Sequence, residues 1–398
     1  MTVIRIFVFF IVFGEGLALS FPISVPYVRL EEGDRLLVKI FPHRGEYPPH
    51  PADKVRDRFR LEVANGYLHV FDAARGRAER GKFQQDIAGQ MDVKLAGFTG
   101  PLWLEADGPI RLIRFGMESS YSYDGPLYIY KEGNHLAIIE VATFNQYLKG
   151  VLPREIFPTW PAEALKAQAV AARTYARYHM ILSSASLRPY HVDDSVRYQA
   201  YTGRNDRSLS TDKAVDATSG EILRYKDGTI PQAWFSASAG GYTEASENVW
   251  HLNAGWVESK PEIHQQVFDM PTWQQQISIT VLEEKLGRRG FIKRGTRLKK
   301  IWVKDVDRSP SGRVIKLHLQ NADGDIFSLG GTDFRRALGL RSTLFELSRN
   351  EDKLLVSGRG FGHGVGMSQY GAQALARHHG YSYRDILNFY FVDCAIVD

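Results

Sequence analysis

The chain contains 398 residues, of which 44% are hydrophobic and 24% are charged, and this composition is typical of a globular protein with one to three domains. Its formal net charge of +5 favours anionic partners in general, but no Lys/Arg run is dense enough to indicate a nucleic-acid-binding arm. The single cysteine, Cys394, excludes an intrachain disulfide and a zinc site built from several cysteines.

The first twenty residues have the pattern of a secretory signal peptide. Arg5 provides a short basic segment, the apolar run Ile6–Phe13 follows, and residues 18–20 place small side chains at the two positions that a signal peptidase reads. The run is short for a bilayer span, and Glu15 disfavours a permanent anchor further. The alternative is an uncleaved amphipathic segment or a buried strand. We expect removal of residues 1–20 and export to the periplasm or the extracytoplasmic cell wall, with no integral membrane span in the mature protein.

Residues 21–130 are predicted to form a β-rich N-terminal region. Apolar and polar residues alternate in short segments, and Gly, Pro and Asp separate these segments. The predicted strands include Arg35–Ile40, Tyr67–Phe71 and Tyr128–Tyr130. No catalytic cluster is recognisable in this region, and its role is left open.

Residues 131–398 are predicted to form a mixed domain, so the fold class of the chain is α+β. In chain order, the predicted elements are a buried strand at 136–141, an Ala-rich helix from Ala162 to about Leu182, a short helix near 211–218, a strand-like segment at 232–236, a helix at 281–286, paired strands at 301–306 and 314–319, and helices at 331–338, 368–379 and 382–390. Pro161 is suited to the first position of the Ala-rich helix, where its missing N–H has no cost.

Glu155 is the candidate catalytic residue. It precedes a Pro-rich turn into the Ala-rich helix, and Ile156, Phe157 and Trp160 surround it in sequence. Burial of a carboxyl group disfavours its charged form and raises its pKa, so such a group can act as a general acid near neutral pH. A surface glutamate paired with Arg154 or a nearby lysine explains the same pattern about equally well.

A second polar segment lies at residues 233–244. Either of its two serines could be a nucleophile, but the segment lacks a Gly-x-Ser-x-Gly elbow and the Asp/His order of a familiar triad. We therefore favour a turn that lines a groove and donates hydrogen bonds. The candidate groove residues of this segment are Ser236, Ser238, Gly240, Gly241 and Thr243.

A glycine-rich segment at residues 358–372 contains six glycines and one histidine, His363. Such a segment lets backbone approach a ligand closely. No Gly-Lys-Ser/Thr follows, which argues against a phosphate-binding loop, and the segment does not open a dinucleotide-binding βαβ unit. We interpret it as the wall of a sugar- or peptide-binding groove. On the residue alone, a structural role of His363 is favoured over a catalytic one.

The fourth polar segment, residues 190–203, contains His191, Asp193 and Asp194. Two or three oxygen and nitrogen ligands so close in sequence make an incomplete metal site, so a hydrogen-bonded loop is favoured. A metal-dependent hydrolase that uses these three residues is kept as an alternative.

Taken together, these segments resemble the stage II sporulation protein D (SpoIID/LytB) family over roughly residues 130–394. The segment that ends at Glu155 is similar to the family's Tyr-Leu-x-Gly-Val-x-x-x-Glu signature. The glycine-rich segment is similar to its Gly-x-Gly-x-Gly-His-Gly-Val-Gly-Met-Ser-Gln-x-Gly-Ala segment. The matching segments, in chain order, are Tyr147–Glu155, 161–175, 235–244, 334–343 and 358–372.

The resemblance implies a peptidoglycan lytic transglycosylase that cleaves peptide-stripped glycan between N-acetylmuramic acid and N-acetylglucosamine, with Glu155 as the catalytic acid. Glu155 would protonate the glycosidic oxygen. Its carboxylate would then take the proton of the carbon-6 hydroxyl of the same muramic acid, which closes on the anomeric carbon to leave a 1,6-anhydro end. Because this nucleophile belongs to the substrate, the second carboxylate of ordinary glycosidases is not required.

The resemblance also implies which residues line the groove. Arg173 is the candidate for the lactyl carboxylate of muramic acid. The other candidates for hydroxyls and acetamides are Ser236, Ser238, Gly240, Gly241, Thr243, His363, Ser368, Gln369 and Tyr370.

Family members differ in metal content and in activity, and both differences bear on this chain. Some members bind zinc near the fourth segment through a histidine and cysteines, but Asp193 and Tyr198 stand about where the cysteines are expected. We therefore expect no metal and no cofactor. LytB-type proteins are described as enhancers of a cell-wall amidase. The alternative function is thus a non-catalytic glycan-binding module with another cell-wall hydrolase as its partner.

Overall fold

The computed structural model describes residues 35–40, 58–72, 85–94, 101–114, 120–132, 135–184, 189–262 and 272–398. The predicted signal peptide lies outside the described residues, so its removal stays a prediction. In the described ranges, eight strands precede the first helix and both kinds of element follow it, which confirms the predicted α+β class. Within these ranges, no helix combines the length and the apolar character that crossing a bilayer requires.

Most of the strands lie before residue 145 or after residue 270. They are Arg35–Ile40 (β1), Arg58–Asp72 (β2), Gln85–Lys94 (β3), Leu102–Ala106 (β4), Ile110–Arg114 (β5), Ser120–Tyr123 (β6), Leu127–Glu132 (β7), His135–Thr143 (β8), Val192–Asp193 (β9), Ile222–Tyr225 (β10), Phe235–Ser236 (β11), Thr272–Ser278 (β12), Leu298–Trp302 (β13), Lys316–Asn321 (β14), Ile326–Gly330 (β15), Phe345–Asn350 (β16), Lys353–Arg359 (β17), Met367–Ser368 (β18) and Cys394–Val397 (β19). The helices are Phe144–Glu155 (α1), Ala162–Ser184 (α2), Leu209–Ala217 (α3), Glu247–Trp250 (α4), Ile279–Arg288 (α5), Gly331–Leu338 (α6), Gln369–His379 (α7) and Tyr383–Tyr390 (α8).

The largest sheet has the order β6-β5-β2-β4-β7-β8-β1-β9, with β3 paired to β2. Strand β1 is antiparallel to β8, from Arg35 opposite Thr143 to Ile40 opposite Ile138, and the short β9 extends the sheet parallel to β1. The predicted boundary at residue 130 therefore crosses one hydrogen-bonded sheet. The division of the chain into domains stays a prediction.

The Ala-rich helix α2 confirms the predicted helix and buries two of its faces. Ala169 and Ala176 belong to the core cluster under the large sheet. Ala167 and Ala171 belong to a second cluster, which contains residues of α7 and α8. Because alanine side chains are small, helices on both sides can approach α2 closely, and the burial of their apolar surface stabilises the fold.

Helix α1 was not predicted, although it ends at the candidate catalytic residue. Thr143 caps its N-terminus: the Thr143 side chain accepts from the Gln146 N–H at 3.1 Å, and the Gln146 side chain accepts from the Thr143 N–H at 2.8 Å. Pro153 lies in the last turn and Ile156 is already extended, so the helix stops at Glu155.

The C-terminal half contains two three-stranded sheets, β12-β17-β16 and β13-β14-β15. They share a hydrophobic core with α5 and α6, in which Phe334 and Phe345 are buried. The predicted strand pair corresponds to β13 and β14, whose bounds are shifted by a few residues. The strand-like segment predicted at 232–236 forms a strand only at β11, which pairs in parallel with β18.

Candidate functional site

A cleft of about 780 Å³ opens between the end of α1, the loop after β9, strand β11 and the glycine-rich segment. Its lining residues include Glu155, Ser236 and His363, one from each of three motifs that lie far apart in sequence. Glu155 is the only acidic residue among those that line the described cleft. The cleft is large enough for sugar-sized ligands, since small-molecule sites have volumes of roughly 300–1,000 Å³.

The packing of helix α1 against the core holds Glu155 at the cleft. Tyr147, Leu148 and Val151 of this helix are fully buried against the core of the large sheet. At the end of the helix, the Glu155 Oε1 accepts a hydrogen bond from the Ala200 N–H at 3.2 Å. The carboxyl group is therefore anchored by a rigid helix on one side and by the loop 195–200 on the other.

The pKa of Glu155 is raised above its ordinary value. Burial is the main cause, because it disfavours the carboxylate, while the hydrogen bond from Ala200 and the charge of Arg154 act in the opposite direction. The outcome is a carboxyl group that keeps its proton to a higher pH than a solvated glutamate. A general acid requires this property.

His363 lines the cleft but does not have the properties of a proton carrier. Its Nδ1 accepts from the Val365 N–H at 3.0 Å, and its ring centroid lies 5.0 Å from that of Trp250. Burial, with the charges of Arg335 and Arg313, lowers the pKa of His363 to about 3. The imidazole is therefore neutral at physiological pH.

The glycine-rich segment fits closely over a buried arginine. Gly364 has a φ of +80°, and a Cβ at this position would lie 2.2 Å from the Arg313 Nη2. The Arg313 side chain is 2% exposed, and its Nη1 donates to the Tyr242 carbonyl oxygen at 2.9 Å. This position therefore requires glycine, both for the backbone conformation and for the close approach.

Ser236 is the one member of its candidate group that lines the cleft. Its Oγ accepts from the Gly364 N–H at 3.3 Å. Ser238 lies behind it, 1% exposed, and pairs through its backbone with Phe361. The other candidates of this group lie deeper and contribute no cleft surface: Gly240, Gly241 and Thr243.

The structure therefore corrects the groove positions predicted for Ser238, Gly240, Gly241 and Thr243. The Thr243 hydroxyl donates to the Glu258 carbonyl oxygen at 2.8 Å, which fixes one turn to another. The Gly241 N–H donates to the Glu262 carboxylate at 3.1 Å. These groups are already committed to internal hydrogen bonds.

Ser368, Gln369 and Tyr370 also lie outside the cleft lining, against prediction. Ser368 is 1% exposed and caps α7 by accepting from the Gly371 N–H at 3.1 Å. The buried Gln369 donates to the Gln168 side chain at 3.3 Å. The Tyr370 ring packs edge-on against Trp160, with 4.9 Å between the ring centroids.

Arg173 is not available for a substrate carboxylate, which corrects another prediction. Its side chain is 3% exposed and donates to the carbonyl oxygens of Glu221 at 3.0 Å and Val215 at 3.2 Å. The guanidinium thereby joins α2 to the end of α3. The arginines that line the cleft are Arg154 and Arg197.

Trp250 lines the cleft and was missed by the sequence analysis. Its ring stacks on Trp234 with 4.8 Å between centroids, and Trp234 stacks in turn on Trp256 at 5.9 Å. Such a stack holds Trp250 in a fixed orientation with one part facing the cleft. No motif marked this residue, and the only signal was a tryptophan in a polar, loop-rich stretch.

The loop with His191, Asp193 and Asp194 does not form a metal site. The His191 Nδ1 accepts from the Leu37 N–H at 3.0 Å, and Asp193 accepts from the Ser195 N–H at 2.9 Å. Among the described residues, no group of three or more His, Cys, Asp or Glu side chains could hold a metal ion. The residues thus do not fit the zinc site that the resemblance implies for some members. The expectation that no cofactor is needed stays a prediction.

Glu244 lies outside the cleft lining and is the centre of a buried hydrogen-bond network. Its carboxylate accepts from the hydroxyls of Ser309, Ser311 and Ser259 and from the Asn248 amide. Burial alone would raise the pKa of Glu244, but these hydrogen bonds outweigh burial and lower it. Because Ser309 and Ser311 precede β14 and Asn248 lies in α4, the network connects the helix that carries Trp250 to the C-terminal half.

Comparisons with known proteins give a consistent result. The family model described as stage II sporulation protein matches residues 132–225, and a domain of unknown function matches residues 247–366. The chain is 34% identical over 279 residues to an uncharacterized protein of Brachyspira hyodysenteriae, and the aligned residues are 69% of this chain and 72% of that protein. It is 32% identical over 286 residues to the stage II sporulation protein D of Bacillus amyloliquefaciens, and the aligned residues are 66% of this chain and 76% of that protein. The amidase enhancer of Bacillus subtilis is 32% identical over 287 residues, which are 61% of this chain but 39% of that protein.

Proposed function

The chain belongs to the stage II sporulation protein D family, and from this premise we propose that it is a peptidoglycan lytic transglycosylase. The reaction cleaves glycan between N-acetylmuramic acid and N-acetylglucosamine and leaves a 1,6-anhydromuramic end. The observation that carries the proposal is Glu155, a carboxyl group with a raised pKa that faces a cleft of about 780 Å³.

The single acid in the cleft supports this reaction over ordinary hydrolysis. A retaining or inverting glycosidase uses two carboxyl groups, whereas Glu155 is the only acidic residue of the described cleft lining. An intramolecular attack by the carbon-6 hydroxyl needs one group that first gives a proton and then takes one. Glu155 can perform both steps in turn.

The surroundings of Glu155 suit both protonation states. In the first step, burial favours the protonated carboxyl, which donates to the glycosidic oxygen as that bond breaks. In the second step, the hydrogen bond from the Ala200 N–H and the nearby Arg154 charge stabilise the carboxylate that has formed. The carboxylate then accepts the proton of the attacking hydroxyl, and the starting state is restored.

The remaining cleft residues supply the groups that a glycan needs for binding. Trp250 presents part of a stacked ring, and Tyr175, Tyr198 and Gln232 bring hydroxyl and amide groups to the lining. Apolar and aromatic walls with a few fixed polar groups are typical of small-ligand sites. We expect these residues to contact the sugar rings, their hydroxyls and their acetamides.

The location and the substrate follow from the same proposal. Peptidoglycan lies outside the cytoplasmic membrane, so the activity requires export, which the predicted signal peptide at residues 1–20 would provide. The substrate is glycan from which the stem peptides have been removed. No nucleic-acid partner enters this proposal.

A second candidate function is a non-catalytic glycan-binding module that stimulates a cell-wall amidase. The observation that favours it is the 32% identity to a protein named amidase enhancer. This function would use the same cleft for glycan, but it would not use the proton of Glu155.

Incubation of the purified mature protein with peptide-stripped glycan tests the proposal. We expect soluble fragments to accumulate with the wild-type chain, with no loss of activity in the presence of a chelator. The Glu155→Gln variant should release none while it still pellets with glycan. If the wild-type chain pellets with glycan, releases no fragments and accelerates an added amidase, the second candidate function is correct.

A further inference from the structure

The cleft around Glu155 carries more positive charge than the proposed proton transfers require. Arg154 and Arg197 both line it, and Glu155 is the only acidic residue that lines its described part. The lowered pKa of His363 leaves that side chain neutral. While Glu155 is protonated for the first step, the net positive charge of the cleft therefore comes from the two guanidinium groups. This charge favours an anionic ligand.

The two arginines differ in their surroundings. The Arg154 guanidinium lies 3.6 Å from the Asp206 carboxylate, which offsets part of its charge. Arg197 is exposed, and its side chain makes no ion pair with any acid in the part of the chain that the structure describes. Arg197 is therefore the cation in this cleft that is best placed to take a charged group from a ligand.

The backbone that carries Arg197 is held in place. The Asp193 carboxylate accepts from the Ser195 N–H at 2.9 Å, and the Ser195 hydroxyl accepts from the Arg197 N–H at 3.2 Å. The Tyr198 N–H donates to the Ser195 carbonyl oxygen at 3.1 Å, and two residues further on the Ala200 N–H binds Glu155. One ordered turn thus presents both the Arg197 guanidinium and the donor that contacts the catalytic carboxyl group.

We propose that Arg197 binds the free lactyl carboxylate of the muramic acid residue in the cleft and so selects glycan that has lost its stem peptides. The inference rests on the proposed transglycosylase function. The lactyl group is joined to carbon 3, two bonds from the anomeric carbon that Glu155 must serve, and Arg197 lines the same cleft as Glu155. Removal of the stem peptide converts an uncharged amide into a carboxylate, and a guanidinium binds a carboxylate through two parallel hydrogen bonds.

The proposal replaces the role predicted for Arg173. Arg173 lies within a motif of the family, but its buried guanidinium is committed to backbone carbonyl oxygens. Arg197 lies in a loop and is exposed on the cleft wall. Arg197 would therefore distinguish a lactyl group that ends in a free carboxylate from one whose carboxyl group is held in the amide of a stem peptide.

The test measures binding of soluble glycan fragments to the Glu155→Gln chain, in which turnover does not interfere. One ligand is peptide-stripped glycan, and the other is the same glycan with its lactyl carboxylates converted to methyl esters. We expect the ester to bind about tenfold more weakly, since it cannot form the charge-assisted hydrogen bonds that the free carboxylate makes with a guanidinium. Addition of Arg197→Gln should abolish this difference, and Arg197→Lys should retain part of it.

The matched control is Arg289→Gln, which removes the same charge from an exposed arginine at the end of α5. It should leave the preference for the free carboxylate unchanged. Equal binding of both glycans to the Glu155→Gln chain would overturn the inference and leave the proposed function intact, as would an unchanged preference in Arg197→Gln. Failure of the wild-type chain to bind or cleave either glycan would overturn the proposed function itself.

Discussion

Two glutamates that belong to motifs of the same family have opposite environments in this molecule. Glu155 lines the cleft, accepts one backbone hydrogen bond from Ala200, and has a raised pKa. Glu244 is 1% exposed, accepts from three serine hydroxyls and an amide, and has a lowered pKa. Burial acts on both carboxyl groups, and the number of hydrogen-bond donors decides which way the pKa moves.

The difference distinguishes a residue that can exchange a proton from one that stabilises the structure. A carboxyl group with few donors keeps a proton that it can give to a substrate, whereas a carboxylate surrounded by donors is fixed in its charged form. Glu244 connects α4, and with it Trp250, to Ser309 and Ser311 before β14. Its contribution to function is therefore to fix the position of a cleft residue, not to react.

The largest effect that we expect is on activity at Glu155. Glu155→Gln should lower kcat/KM on peptide-stripped glycan by about 10²- to 10⁴-fold, because an amide cannot give or take the proton. Its free energy of unfolding should stay near that of the wild type, because Glu155, unlike Glu244, is not a carboxylate that accepts several buried hydrogen bonds. Fragment release and urea unfolding, measured on the same preparation, check both parts. Retention of activity in this variant would remove the distinction between the two glutamates.

The converse experiment is Glu244→Gln, which should act on stability. We expect the free energy of unfolding to fall by about 2–4 kcal/mol, because the serine hydroxyls and the Asn248 amide lose their charged acceptor. Since the folded-state pKa lies below the unfolded value, the stabilisation by Glu244 is present above the unfolded pKa and is lost as pH falls through the folded pKa. Denaturant unfolding at several pH values measures this effect. A variant as stable as the wild type would contradict the assigned role.

A third glutamate, Glu140 of β8, sharpens the comparison. It is fully buried and accepts from the Tyr201 hydroxyl at 2.7 Å and the Gly125 N–H at 3.1 Å, yet burial raises its pKa to about 7. The folded chain therefore binds more protons than the unfolded chain between about pH 4.5 and 7. Stability is lost as pH rises through this window.

Glu140→Gln should remove that pH dependence, because an amide does not titrate, and should lower the free energy of unfolding at pH 5 by about 1–3 kcal/mol, because the Tyr201 hydroxyl or the Gly125 N–H loses its acceptor. Thermal or urea unfolding at pH 5 and pH 8 provides the comparison. If the variant follows the wild-type pH dependence, Glu140 is not the group that titrates.

The smallest effect concerns the shape of the pH–rate profile. With Glu155 as the acid, kcat/KM should decline as pH rises through its raised pKa. His363, with a pKa of about 3, should add no second limb between about pH 5 and 8. The His363→Asn variant should therefore keep the profile shape whatever its absolute rate. A limb near neutral pH that disappears in this variant would show that His363 carries a proton.

The sequence was sufficient for features that depend on local pattern. Helix α2 follows from its alanines after Pro161. For Glu155 the local pattern left a buried carboxyl group and a surface ion pair about equally open, and burial raises its pKa in the folded chain. Helix α1 was missed because Pro153 resembles a break, although in the structure it lies in the last helical turn. The capping pair Thr143 and Gln146 was the signal that could have revealed this helix.

The groove residues could not be predicted well because a motif does not specify which side of a segment faces the cleft. Ser236 faces it, whereas Ser238 and Ser368 point into internal hydrogen bonds. That difference depends on the pairing of β11 with β18, which joins segments more than 130 residues apart. Trp250 and Arg197 also line the cleft, although both lie outside the matching motifs.

The ends of the glycan fragments test the central claim most directly. Peptide-stripped glycan is digested with the wild-type chain and with Glu155→Gln, and the released fragments are weighed by mass spectrometry. The account predicts muramic ends that are one water lighter than the hydrolysed form, produced by the wild type and absent with Glu155→Gln. Reducing muramic ends, or the same fragments from both proteins, would contradict it.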